Sequence, residues 1–201
     1  MSALKKSPLI WFFVILILIA VMTALGPAEK TLGVNVRVVY LHGAWVWTAL
    51  ATFVCAGVTG LAGLVTRRQS LNLWSRALGR TGLFFWITYL PISLWAMQTN
   101  WNGLFLAEPR WRLAVIFAFG GLVLQIGLVL VDKAVWDSAL NLVFAVILIL
   151  ALQNTQQVMH PPAPMLNSTA WGIQIYFGAL VILTMLGAWQ VTGWWRKFDL
   201  G

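Results

Sequence analysis

The sequence is poor in charge, in histidine and in cysteine. Charged residues make up 9% of its 201 positions, Asp and Glu together number 5, and there are 2 histidines and 1 cysteine. A soluble domain carries about 25% charge, so an ordinary water-soluble fold is excluded. The single Cys55 excludes an internal disulfide; it lies inside an apolar run and reads as a small packing residue. With no cluster of carboxylates or cysteines beside the histidines, a zinc or di-metal enzyme lacks ligands. Hydrolase, P-loop and dinucleotide motifs are absent. The Gly-x-x-Gly spacings lie within apolar runs, with no strand before them. There is no series of buried acids for a proton relay. The chain is therefore read as having no catalytic function of its own.

What is abundant is apolar surface: 61% hydrophobic residues and a mean hydropathy of +0.86. About 20 apolar residues cross a bilayer, and six runs approach or exceed that length: 8–25, 38–65, 81–97, 113–131, 135–152 and 169–191. The first follows Lys5-Lys6. Its apolar core exceeds that of a signal peptide and no Ala-x-Ala site follows, so an uncleaved first helix is expected. Pro91 in the third run predicts a kink, because proline removes a backbone donor and crowds the preceding turn. The expected fold class is an all-α integral membrane protein, a single domain over residues 1–201 built as a bundle of six transmembrane helices.

Cations test the topology. Lys5, Lys6, Arg67, Arg68, Arg76, Arg80, Lys133, Arg196 and Lys197 fall on one side of these six spans; Lys30, Arg37, Arg110 and Arg112 fall on the other. Cytoplasmic loops are the ones enriched in Lys and Arg, so both termini are expected in the cytoplasm. The net charge of +8 then reflects topology and gives no reason to expect nucleic acid as a partner. Many of the 13 tryptophans lie near span ends, as an interfacial belt requires. Gly57, Gly60 and Gly63 form a close-packing face on the second helix, and Gly120-Gly121 suggests another on the fourth. Asn141, Gln125 and Gln174 lie within spans, where hydrogen bonds between helices are expected. Asp132 and Asp137 fall at the cytoplasmic edge of the fifth, where Asp137 suits the positive helix N-terminus.

The same topology brings three stretches to the outer face: 26–37, 100–112 and 153–168. His42 sits just inside the second helix from that face, and His160 lies in the last outer loop. Neither histidine entered the topology argument. An ionisable group within a span tends to mark function; alone, His42 suits a ligand or a hydrogen bond to a carbonyl equally. Gly43 and Ala44 leave room beside it for a flat group. His160 is followed by three prolines within four residues, which favour extended backbone and a fixed imidazole; the alternative is a solvated loop histidine. Trp45 and Trp47 either line a planar ligand or pack near the interface. Two neutral imidazoles facing one another can fill both axial positions of a haem iron. Arginine binds carboxylates bidentately, so Arg37, Arg110 and Arg112 suit haem propionates, or else lipid headgroups. Glu108 reads as a partner for Arg110 or Arg112. No Cys-x-x-Cys-His is present, so haem would be non-covalent.

This pattern resembles the CcmC/CcsA family of haem-handling membrane proteins in cytochrome c assembly. Asn35-Val-Arg37-Val-Val-Tyr40-Leu-His42 is similar to that family's first-histidine segment: arginine, two aliphatics, tyrosine, aliphatic, histidine. Trp101-Asn-Gly-Leu-Phe-Leu-Ala-Glu-Pro-Arg110 is similar in position and length to the tryptophan-rich WWD signature. Trp101 and Arg110 match it; Phe105 stands for a tryptophan and Glu108 for the aspartate, whereas Leu104 and Ala107 replace two other tryptophans. His160 falls in the loop carrying the second haem histidine. The resemblance implies haem b held by His42 and His160 on the outer, periplasmic face of the plasma (inner) membrane, with Trp101 and Phe105 presenting its edge. It implies haem transport to a periplasmic haem chaperone or to apocytochrome c, alongside other membrane subunits of an export or assembly complex. A b-type cytochrome electron-transfer subunit and a cofactor-free scaffold are the alternative readings.

Overall fold

The computed structural model describes residues 7–156, 165 and 168–199. They form six helices: α1 Pro8–Ala24, α2 Val36–Thr66, α3 Gln69–Trp101, α4 Pro109–Val131, α5 Ala134–Asn154 and α6 Trp171–Phe198. Each expected apolar run became one helix. Among the described residues there is no strand; an isolated bridge between Glu29 and Gly33 closes the turn after α1. The helices α2, α4, α5 and α6 are long and apolar enough to cross a membrane. At 17 residues α1 is apolar but short. The 33 residues of α3 begin with Gln69, Ser70, Asn72, Ser75, Arg76 and Arg80, a polar stretch that precedes the expected run.

Local chemistry sets the boundaries. Proline opens α1 and α4, where its fixed φ suits the first turn and its missing donor is not needed. The ends of α2, α3 and α4 turn at Arg67, Asn102 and Asp132, all in the left-handed region with φ of 56°, 51° and 47°. Such a cap reverses the chain within two residues between α2 and α3 and between α4 and α5. Pro91 lies on the exposed side of α3, which continues through it.

α2 is the centre of the packing, against α3, α5, α6 and α1. Its glycine face does what its spacing predicts. A Cβ on Gly57 would lie 3.4 Å from Ala145 and Leu142 of α5, and one on Gly60 would lie 2.7 Å from the Ser138 carbonyl oxygen. One on Gly63 would collide with the Asn72 side chain of α3. Gly121 meets Leu83 and Phe144, whereas Gly120 has open space beside it, so only half of that pair packs.

Hydroxyls and amides join the helices across these faces, where lipid offers them no partner. Thr48 and Thr184 Oγ1 atoms are 2.6 Å apart between α2 and α6. Thr192 donates to Thr81 at 3.0 Å between α6 and α3, and Trp86 Nε1 donates to the Ala114 carbonyl of α4 at 3.0 Å. Asn141 Nδ2 donates to the Ser75 carbonyl at 2.9 Å, and its oxygen accepts from Gln125 at 3.2 Å. Gln174 Nε2 donates to the nearby Ser168 carbonyl at 2.7 Å.

Because the atom facing Gly60 is backbone, relaxation there is limited. Gly60→Val should destabilise the folded protein in detergent by about 1–3 kcal/mol, the usual cost of overpacking. Gly120→Ala, with open space for its methyl, should raise the melting midpoint slightly, by about 0.5–1 kcal/mol of stability, because alanine is the better helix former. Thermal unfolding followed by circular dichroism checks both.

Candidate functional site at the His42 end

The loop after α1 and the starts of α2, α4 and α6 meet the ends of α3 and α5 at one end of the bundle, and side chains tie them together. Arg37 Nε donates to the Gly26 carbonyl at 2.8 Å, linking α2 to the end of α1. Asn35 Nδ2 donates to the Thr99 carbonyl at 3.1 Å and Asn100 Nδ2 returns to the Asn35 carbonyl at 3.3 Å, linking α2 to the end of α3. Arg110 Nη2 donates to the Leu152 carbonyl at 3.2 Å, joining α4 to the end of α5. The Tyr176 hydroxyl donates to the Met22 carbonyl at 2.8 Å, joining α6 to α1. Consecutive helices therefore alternate in direction. The turn after α1 is held by the Glu29 carboxylate, which accepts from Thr31 N at 2.8 Å and Leu32 N at 3.0 Å. These backbone donors, Leu32 foremost, hold its pKa below the ordinary carboxylate value.

His42 is half-buried within the second turn of α2. Its ring centroid lies 5.6 Å from that of Tyr89 on α3, and Tyr89 in turn meets Trp86 edge-on at 5.0 Å. Tyr40, two residues earlier, points to another neighbour: its ring is 5.2 Å from Tyr176 of α6. The Tyr40 hydroxyl is buried with no hydrogen-bond partner among the described residues. The space expected beside Gly43 is taken by Phe177, 3.1 Å from where a Cβ would stand. Trp45 and Trp47 divide. Trp45 is 6% exposed, donates from Nε1 to Thr88 Oγ1 at 2.8 Å and lies 4.9 Å from the Phe85 ring; Trp47 is 42% exposed and faces outward.

The Trp101–Arg110 stretch is fixed at both ends. Trp101 closes α3, half-buried, and Asn102 makes the left-handed cap. Glu108 is the N-cap of α4, its Oε2 accepting from Trp111 N at 2.6 Å. A carboxylate there satisfies an orphan donor and complements the helix dipole, a role the sequence reading did not assign when it made Glu108 a partner for Arg110 or Arg112. Between the caps, Leu104, Phe105 and Leu106 stand outward, Phe105 at 40% exposed. Thus Arg37, His42, Trp101, Phe105 and Arg110 share one end of the bundle, with Trp45 deeper along α2. His160, the other expected ligand, lies outside the described residues. Among the described residues, no three His, Cys, Asp or Glu side chains gather as a metal site.

The opposite end holds a cluster that sequence reading missed. Arg76, 7% exposed, donates from Nε to Asp137 Oδ2 at 2.9 Å and from Nη1 to Asp132 Oδ1 at 3.0 Å. Arg80 Nη1 pairs with Asp199 Oδ1 at 2.7 Å. Asp137 is 0% exposed, and its Oδ1 has no hydrogen-bond partner among the described residues. The signal was present: an acid inside an apolar run must find a partner. Its partner lay 61 residues away, beyond what spacing shows.

No protein-family model, no curated protein and no solved structure matches this chain.

Removing one partner of a buried pair strands the other charge. Arg76→Leu should cost about 3–5 kcal/mol of stability, read as a lowered unfolding midpoint in detergent. The double variant Arg76→Leu with Asp137→Leu should recover most of that loss.

Proposed function

We propose that this chain is a six-span membrane protein that handles haem for cytochrome c biogenesis, with both termini in the cytoplasm. The alternating helix directions and the nine-to-four distribution of cations between the two ends support that topology, because cytoplasmic loops concentrate Lys and Arg. On this reading the His42 end faces outward, to the periplasm.

The observation that carries the functional reading is the company His42 keeps. A half-buried histidine shares one bundle end with two arginines and with a short loop that holds Phe105 outward between two helix caps. A porphyrin brings four nitrogens of its own, so one or two imidazoles complete its iron. Among the described residues no three His, Cys, Asp or Glu side chains gather, and a protein-held zinc needs at least three such ligands, so His42 suits an iron that brings its own ring. When bound, haem supplies the iron that His42 and His160 would ligate. Trp101 and Phe105 offer the flat apolar surface for the macrocycle edge, and Arg37 and Arg110 stand at the membrane surface as counter-charges for propionates. Trp45, tied to Thr88, holds α2 against α3 below His42. The chain binds and orients the cofactor for a periplasmic haem chaperone or apocytochrome c, and breaks no bond itself.

The test is a visible spectrum of protein purified from haem-replete cells. A Soret band, lost in both His42→Ala and His160→Ala, is the expected result. Cells lacking the protein should fail to attach haem to c-type cytochromes. Normal attachment in those cells overturns delivery and leaves a haem-bearing subunit for electron transfer; absence of the band overturns haem binding altogether.

A further inference from the structure

At the end of the bundle opposite His42, positive charge is left over. The chain has 5 acidic residues. Glu29 and Glu108 accept backbone donors at the His42 end, and Asp132, Asp137 and Asp199 are taken by Arg76 and Arg80. Among the described residues, no ion pair engages Arg67, Arg68 or Arg196. Arg196 reaches the start of α3, beside the turn that carries Arg67 and Arg68. Arg67 and Arg68 form the exposed turn between α2 and α3, and Arg196 of α6 donates from Nη1 to the carbonyl of Ser70 at 3.2 Å.

Arg196 is also held in place by aromatic rings. Its guanidinium carbon lies 4.7 Å from the centroid of Trp74, and Trp74 stacks on Trp189 at 5.3 Å with planes 16° apart. A guanidinium stacked on tryptophan loses less freedom when it binds an anion. Below it the wall turns apolar: Trp189 is 57% exposed and Leu186 49%. The site therefore has one cation stacked on a ring and two exposed ones above an aromatic step and an apolar surface.

We propose that this corner binds the phosphate headgroup of an anionic phospholipid, with the arginines on the phosphodiester and the acyl chains against Trp189 and the α6 surface below it. Arginine recognises phosphate bidentately, and the apolar wall distinguishes a lipid from free phosphate. The inference is independent of the haem reading, since no residue of the His42 end takes part.

The experiment uses the full chain reconstituted in vesicles whose lipids carry bromine on the acyl chains. Quenching of Trp189 is taken as the difference between the unaltered protein and Trp189→Phe. Brominated phosphatidylglycerol should quench it at lower mole fraction than brominated phosphatidylcholine. The preference should fall about fivefold for each cation removed in Arg67→Gln, Arg68→Gln and Arg196→Gln. Arg67 and Arg68 are exposed, so their variants test the proposal even where Arg196→Gln weakens the fold. A native mass spectrum of detergent-purified protein should show retained phosphatidylglycerol, lost in the Arg67→Gln, Arg68→Gln double variant. Equal quenching by the two lipids, or a preference that survives all three substitutions, overturns the proposal. Full displacement by millimolar inorganic phosphate also overturns it, in favour of a site for soluble phosphate.

Discussion

The structure depends on satisfying one guanidinium. Arg76 lies 7% exposed between helices, in a chain whose surroundings offer few other polar groups. An unpaired charge so placed is costly, and pairing offsets the cost only when the geometry is good. Two aspartates from the α4–α5 region meet it, one at Nε and one at Nη1. That demand fixes the angular position of α5 against α3. One helical turn further along α5 from Asp137, Asn141 bonds Ser75 and accepts from Gln125 of α4. Ser138, between them, donates to Asn72 at 2.8 Å. The charge pair and the amide ladder thus share one register. A slip of α5 by a single turn would break them together.

This polar seam needs the backbones close, and the glycines of α2 allow it. Ser75 Oγ donates across to the Ala56 carbonyl of α2 at 2.8 Å, which requires the helices to approach where Gly60 lacks a side chain. Small residues therefore provide the distance and polar residues provide the specificity. At the His42 end the arrangement changes: bulky rings pack between α2, α3 and α6, and arginine and asparagine side chains fasten the termini to backbone carbonyls. The Trp101–Arg110 loop is positioned by this second arrangement, through the Asn35 and Asn100 bonds that hold the end of α3.

How much of this was legible follows from range. The six helices were readable because apolar run length is a local property. The glycine face was readable because its period of three residues is local too. Helix α3 was read short, since its first three turns are polar and helix there is stabilised by buried partners instead of by lipid. Pairings between distant segments were opaque: Arg76 with Asp137, and Trp45 with Thr88, are determined by the rotation of whole helices. The same holds for Gly43, whose apparent vacancy is occupied by Phe177. Glu108 illustrates the middle case. A carboxylate directly before Pro109 is a helix-start signal, yet its nearness to Arg110 and Arg112 in the sequence suggested pairing instead.

The length of α3 has a consequence for the surrounding bilayer. Its 33 residues extend about 50 Å at about 1.5 Å per residue, whereas the hydrocarbon of a typical bilayer is about 30 Å thick. On the six-span reading proposed above, the surplus tilts or emerges, and its polar opening turns make emergence the cheaper course. A thin membrane therefore leaves Arg76 and its aspartates near water, while a thick one draws them toward the acyl chains and strengthens their mutual attraction. The strength of the tie between α3 and α5 is in this way set partly by membrane thickness, a property that belongs to the lipid.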